Sequence, residues 1–246
     1  MRRKILVPRS AQQAPPFFVA LEEIGFEPLS VPLLEIRFLL QSELEWTSWW
    51  AGRDMDWLIF TSQNGVEAFF RHLPSTFQLP ISFHFAAVGR KTAQALEKWG
   101  VSVSFQPSRF DADAFVEQWE EQQPSGSRVM CILGNRARAV IPASLQRIGY
   151  DVTVEHLYET HISRQGQNEL VEVVDSLYGV AFTSPSTVQA FTEIIKSPPS
   201  HLVFGAIGPI TERALRNKGL PVHVLPEEFT VEALARSFFT YASQHT

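Results

Sequence analysis

The sequence predicts an α/β protein of two similar flavodoxin-like lobes, each a parallel sheet flanked by helices, joined by a two-segment linker around a cleft. Two observations predict it. The chain repeats itself, and within each copy short apolar runs alternate with segments of helical periodicity. Short, wholly apolar runs suit parallel strands buried on both faces. Their alternation with helices implies sheets covered on both sides.

The repeat is carried by two pairs of segments in the same order. Phe60-Thr61-Ser62, Val66 and Ala68-Phe69 recur in register as Phe182-Thr183-Ser184, Val188 and Ala190-Phe191. The run from Phe85 to Leu96 matches Phe204 to Leu215, with Gly89 on Gly208 and Thr92 on Thr211. The match continues through Gly100 and Gly219, Pro107 and Pro226, Phe110 and Phe229, Ala114 and Ala233.

Each copy opens on a strand, Lys4–Val7 or Val129–Leu133. A helix follows, ending at Ile24-Gly25-Phe26 or Ile148-Gly149-Tyr150. The second strands lie near 28–32 and at Val152–Tyr158. Leu33–Phe38 and Leu157–Ile162 come next and hold equivalent places, which suits linkers. Leu58-Ile59-Phe60 and Val180-Ala181-Phe182 are the third strands. The Thr/Ser/Asn clusters after them suit helix N-caps, and Val66, Phe69 and Phe70, or Val188, Phe191, Ile194 and Ile195, keep helical spacing. Strands at Phe85–Val88 and Phe204–Ile207 lead through a glycine into helices that Gly100 and Gly219 stop as C′ residues. Short strands are expected at Val101–Phe105 and Pro221–Leu225, and final helices at 112–122 and 231–242. Trp49 and Trp50 pack a helix against its sheet.

Composition narrows the function classes. Of 246 residues 45% are hydrophobic and 19% charged, a globular balance. A formal net charge of −5 argues against broad attraction to nucleic acid or anionic membranes. A single cysteine, Cys131, excludes an intramolecular disulfide and a cysteine-built zinc site. It sits in an apolar run, read as a buried strand residue rather than a reactive thiol. The seven histidines show no metal-ligand spacing. Asp54, Asp56, Asp111 and Asp113 read as turn and cap residues. The apolar run at the N-terminus is too short for a signal peptide, and no stretch reaches a membrane span. The expectation is a cytoplasmic monomer with no metal and no organic cofactor.

Candidate site residues lie where open α/β sheets bind ligands, beyond the strand C-termini. Ser62 and Asn64, with Ser184 and Ser186 in the other copy, open helices whose N–H groups favour an anion; simple capping is the competing reading. Gly89 and Arg90, with Gly208 and Thr211, form a second pair of tips, where glycine lets a ligand approach the backbone. Arg9, Asn135 and Arg136 close the first strand of each copy, and the arginines are either carboxylate ligands or solvated side chains. No dinucleotide fingerprint or phosphate-loop lysine is present, which disfavours a nucleotide-dependent transferase.

Over nearly its full length the chain resembles the uroporphyrinogen-III synthase family. Phe60-Thr61-Ser62 with Asn64-Gly65-Val66 carries the resemblance, together with Phe182-Thr183-Ser184 and Ser186, Ile207-Gly208 with Thr211, Ala214 and Leu215, and Tyr158 with Thr160 after Gly149. The resemblance implies closure of the linear tetrapyrrole hydroxymethylbilane to uroporphyrinogen III. Water is lost and ring D is inverted through an azafulvene and a spiro intermediate, without metal or cofactor. It implies a crossed-over chain, with residues 1–36 and 162–246 in one lobe and 37–161 in the other, joined by linkers near 33–38 and 157–162. It makes Tyr158 the general acid; from the sequence alone the favoured reading of Tyr158 is a half-buried strand residue, and the resemblance reverses it. Pro185 and Pro209 depart from the family's tips. The alternative reading is a cytoplasmic two-lobed binding or sensor protein for an acidic small molecule.

Overall fold

The computed structural model describes residues 2–9, 15–79, 83–123 and 126–245. The chain divides into two compact units, Met1–Glu35 with His161–Thr246, and Ile36–Thr160.

The first unit holds a sheet of β1 (Lys4–Val7), β2 (Glu27–Ser30), β8 (Gly179–Phe182) and β9 (Val203–Ala206), in the order β2-β1-β8-β9. Its neighbouring strands are parallel, and one bridge from Gly205 to Val224 extends the edge. Alternation along the strands sorts side chains to two faces. Leu6, Val180 and Phe182 pack with α7 (Arg164–Val173), α8 (Pro185–Ile194) and α9 (Pro209–Asn217). Ile5, Val7 and Ala181 pack with α1 (Pro15–Glu23) and α10 (Val231–Gln244).

The second unit is built the same way. Its sheet runs β3-β7-β6-β4-β5, from β3 (Leu34–Phe38), β4 (Trp57–Phe60), β5 (His84–Ala87), β6 (Arg128–Gly134) and β7 (Asp151–Ile162). A bridge from Ala86 to Phe105 extends it. Leu58, Phe60, Met130 and Ile132 face α2 (Glu43–Trp50), α3 (Gln63–Phe70) and α4 (Arg90–Lys98). Trp57, Ile59, Val129 and Cys131 face α5 (Ala112–Gln122) and α6 (Val140–Arg147). Trp46 and Trp50, one turn apart, are buried, and the Trp46 indole donates to the Phe69 carbonyl at 2.7 Å.

The first sheet has the flavodoxin order 2-1-3-4-5 once the bridge at Val224 is counted as its fifth position. The second repeats that arrangement in β7-β6-β4-β5 and the bridge at Phe105, with β3 added at the β7 edge and β6 and β7 coming later in the chain than β4 and β5. Each mixes strands of the two copies: β1 and β2 of the first copy join β8 and β9 of the second, while β6 and β7 of the second join β3, β4 and β5 of the first. The segments expected as linkers are strand β3 and the end of β7, and the chain passes between units inside them.

The strands expected at Val101–Phe105 and Pro221–Leu225 do not form; each segment is reduced to a single bridge. Pro221 has no N–H for a ladder, and a short outer edge discourages pairing with other chains.

Helices α1, α4, α6 and α9 stop in the same way. Gly25, Gly100, Gly149 and Gly219 have φ between 73° and 95°, the left-handed region. In α4, Gly100 N–H reaches the Glu97 carbonyl and Val101 N–H the Leu96 carbonyl, and the other three repeat both bonds. These are the two bonds of a Schellman stop, so four orphan helix ends are satisfied by one device.

Candidate active site

In the second unit, β7 carries an irregularity. Leu133 of β6 pairs with His156, but its neighbour Gly134 pairs with Tyr158, so Leu157 is an extra residue. A bulge of this kind breaks the alternation of faces. Leu157 and Tyr158, consecutive in sequence, both enter the same core with Leu58 and Phe60, at 2% and 7% exposure.

The bulge turns the phenol toward the start of α3. Tyr158 Oη lies 2.8 Å from Ser62 Oγ. Ser62 is the N-cap of α3, and its Oγ accepts the Gly65 N–H at 3.0 Å. Capping and the tyrosine contact are therefore two jobs of one hydroxyl. Gly134 makes the arrangement possible, since a methyl group there would lie 2.4 Å from Tyr158 Cζ. Sequence reasoning missed Gly134 as a site residue. The available signal was a glycine ending an otherwise apolar strand.

Asn135 and Arg136 follow Gly134 and are exposed. Asn135 Oδ1 accepts the Thr160 N–H at 2.8 Å, and Arg136 Nε donates to the Thr160 carbonyl at 3.1 Å. These two side chains thus hold the β7 backbone two residues beyond Tyr158. Gly89 caps α4 without a side chain, Arg90 after it is exposed, and Asn64 lies in the first turn of α3, half-buried. The structure brings Ser62 and Tyr158 into contact; it shows no hydrogen bond from Asn64 or Arg90 among the described residues.

The candidates in the first unit occupy corresponding places. Ser184 caps α8, yet its side chain makes no capping bond; Pro185 stands at the first helical position. Its Oγ lies instead 3.1 Å from Ser186 Oγ and 3.2 Å from Thr187 Oγ1. Thr183 Oγ1, just before it, is buried with no hydrogen-bond partner among the described residues. Gly208 caps α9 without a side chain, and Thr211 inside α9 is only 3% exposed. The Arg9 carbonyl, at the end of β1, accepts from Ser30 Oγ at 2.9 Å.

Other titratable groups read as structural. Burial pushes the Cys131 thiol up to about 12, which keeps it protonated and unreactive. Asp56, expected as a turn residue, accepts the Arg128 backbone N–H at 2.8 Å and pairs with its guanidinium. The backbone bond and then the guanidinium lower its pKa. Among the described residues no three His, Cys, Asp or Glu side chains gather as metal ligands, and no helix is long and apolar enough to cross a membrane.

A protein from Chlorobaculum parvum named uroporphyrinogen-III synthase is 29% identical over 96% of this chain and 97% of its own length. The fold is similar to a mutant uroporphyrinogen III synthase from Thermus thermophilus, with a TM-score of 0.71 at 16% identity, covering 98% of this chain and 99% of that one. It is also similar to uroporphyrinogen-III synthetase from Helicobacter pylori, with a TM-score of 0.62 at 19% identity over 98% and 99% of the two chains. The family model described as uroporphyrinogen-III synthase HemD matches residues 17–236, and with nearly the whole chain so matched, the protein belongs to the uroporphyrinogen-III synthase family.

Proposed function

We propose that this chain closes hydroxymethylbilane to uroporphyrinogen III, with Tyr158 as the acid that releases the terminal hydroxyl and Ser62 as its partner. The observation that carries the residue assignment is the 2.8 Å contact between the two hydroxyls. Ser62 Oγ already accepts the Gly65 N–H. That bond polarises the Ser62 O–H and makes it a better donor to Tyr158 Oη. With Oη accepting from Ser62, the Tyr158 proton points elsewhere, toward a leaving group.

The proton balance closes. Tyr158 gives its proton to the substrate hydroxyl, which departs as water and leaves the azafulvene cation. The resulting phenolate is held by the Ser62 O–H and by the positive end of the α3 dipole. The substituted carbon of ring D attacks, the spiro intermediate opens, and ring D closes reversed. The proton lost when the pyrrole regains aromaticity returns to the phenolate. General acid assistance of this sort contributes about 10² to 10⁴ in rate.

The bilane carries eight carboxylates, while the chain has a net charge of −5. Backbone N–H groups at the tips capped by Gly89, Ser184 and Gly208, none of which makes a side-chain capping bond, supply donors without a basic surface. Hydrogen bonds to charged groups are worth about 1.5–3 kcal/mol each. Unaided, the bilane closes without inversion, so the enzyme must favour one branch; a hundredfold preference needs about 2.7 kcal/mol. Holding the other rings while ring D turns supplies it through positioning. The protein is proposed to work in the cytoplasm as a monomer. Residues 1–36 with 162–246, and 37–161, are proposed as its functional lobes.

The test supplies hydroxymethylbilane to the purified protein and identifies the porphyrin isomer after oxidation. Isomer III supports the reading. Isomer I alone removes it and leaves the alternative, a binding protein for an acidic small molecule.

A further inference from the structure

Phe110 and Phe229 hold matching positions in the two copies and are among the most exposed large apolar side chains, at 57% and 60%. Each directly precedes an N-cap, Asp111 of α5 or Thr230 of α10. An apolar residue at that place ordinarily packs on the fourth residue of its helix and fixes the entry angle. Here those partners, Phe115 and Leu234, are 0% exposed inside the cores, and neither Phe110 nor Phe229 joins those clusters.

The two phenylalanines lie instead beside the glycine tips. A methyl group at Gly208 would stand 3.2 Å from Cγ and Cδ1 of Phe229, and one at Gly89 would stand 4.0 Å from Cβ of Phe110. Each unit therefore sets an exposed aromatic side chain next to a helix start that lacks a capping side chain. A single exposed phenylalanine needs no explanation. Two, at the same place in both copies and released from the packing that would bury them, do.

We infer that Phe110 and Phe229 each act as a stacking platform for a pyrrole ring, beside the helix start of its own unit. The chemistry of the ligand matches the pair of features: a flat π system to lie on phenylalanine, bearing carboxylate arms that reach the N–H groups of α4 or α9. This rests on the function proposed above and adds two residues to it that bind without taking part in proton transfer.

The test compares Phe110→Leu, Phe229→Leu and the corresponding tyrosine variants in steady-state turnover of hydroxymethylbilane, with thermal melting alongside. Leucine keeps apolar bulk and removes the π face; tyrosine keeps the face. Each leucine variant is expected to raise KM about tenfold, with kcat and melting temperature held near wild type and KM restored by tyrosine. Leucine variants with wild-type KM overturn the inference while leaving the proposed function intact. Loss in leucine and tyrosine variants alike, with lowered melting temperature, overturns it in favour of a packing role. A wild-type protein that makes no isomer III overturns the proposed function and this inference with it.

Discussion

Tyr158 Oη and Ser62 Oγ lie 2.8 Å apart although 96 residues separate them in the chain. The contact joins a strand from the second copy of the repeat to a helix N-cap from the first. It exists because strands of the two copies share one sheet, in which β7 and β4 flank β6.

Ser62→Ala removes both the cap on Gly65 and the partner of Tyr158. Loss of such a cap costs about 1 kcal/mol, a fall of about 2–4 °C in melting temperature for a protein of this size. We expect kcat to fall about tenfold as well, because the phenolate loses a donor. Ser62→Thr keeps the hydroxyl and should recover both quantities. An alanine variant that melts lower but turns over at the wild-type rate would confine Ser62 to capping.

Gly134→Ala places a methyl group 2.4 Å from Tyr158 Cζ, so the ring must move. Overpacking of this kind costs about 1–3 kcal/mol. The expected kinetic result is a loss of kcat by at least about tenfold. Combined with Tyr158→Phe, Gly134→Ala should add little further loss, since the acid it misplaces is already gone. Multiplying losses in the double variant would show that Gly134 acts through something else.

The tips of the parallel strands were readable in the sequence because their chemistry is local. Ser62, Ser184, Gly89 and Gly208 each sit at a helix N-cap, as the polar and glycine clusters there predict. The helix stops at Gly100 and Gly219 were readable for the same reason. The bulge at Leu157 was not, because it is a property of register between β6 and β7. Only the adjacent apolar pair Leu157-Tyr158, in a strand whose earlier residues are half-buried or exposed, hints at it. Gly134 was missed likewise: its role is set by a side chain from another strand. The exchange of strands between copies cannot be read from the repeat, whose two copies fit either connection equally well; the family resemblance suggested it.

His223 gives the first unit a pH dependence. Its Nδ1 accepts the Phe204 N–H at 2.9 Å, which only the neutral ring can do. Burial, and then the nearby His245, lower its pKa. A lowered histidine pKa means the unfolded chain takes up the proton first. The stability His223 contributes is therefore complete above the ordinary histidine value of about 6.5 and is lost as pH falls from there through its folded value. Melting curves at about pH 7.5 and about pH 5 should show a larger drop for wild type than for His223→Gln. Parallel drops would assign the acid sensitivity to other groups.

The central claim is tested most directly by the rate at which Tyr158→Phe forms uroporphyrinogen III from hydroxymethylbilane, measured against wild type. The substitution removes one hydroxyl from a buried ring and leaves its packing intact, so melting should shift by only a few degrees, about what one lost hydrogen bond costs. With Tyr158 as the proton donor, kcat is predicted to fall by about a hundredfold or more. A Tyr158→Phe protein that forms isomer III at the wild-type rate would contradict the account.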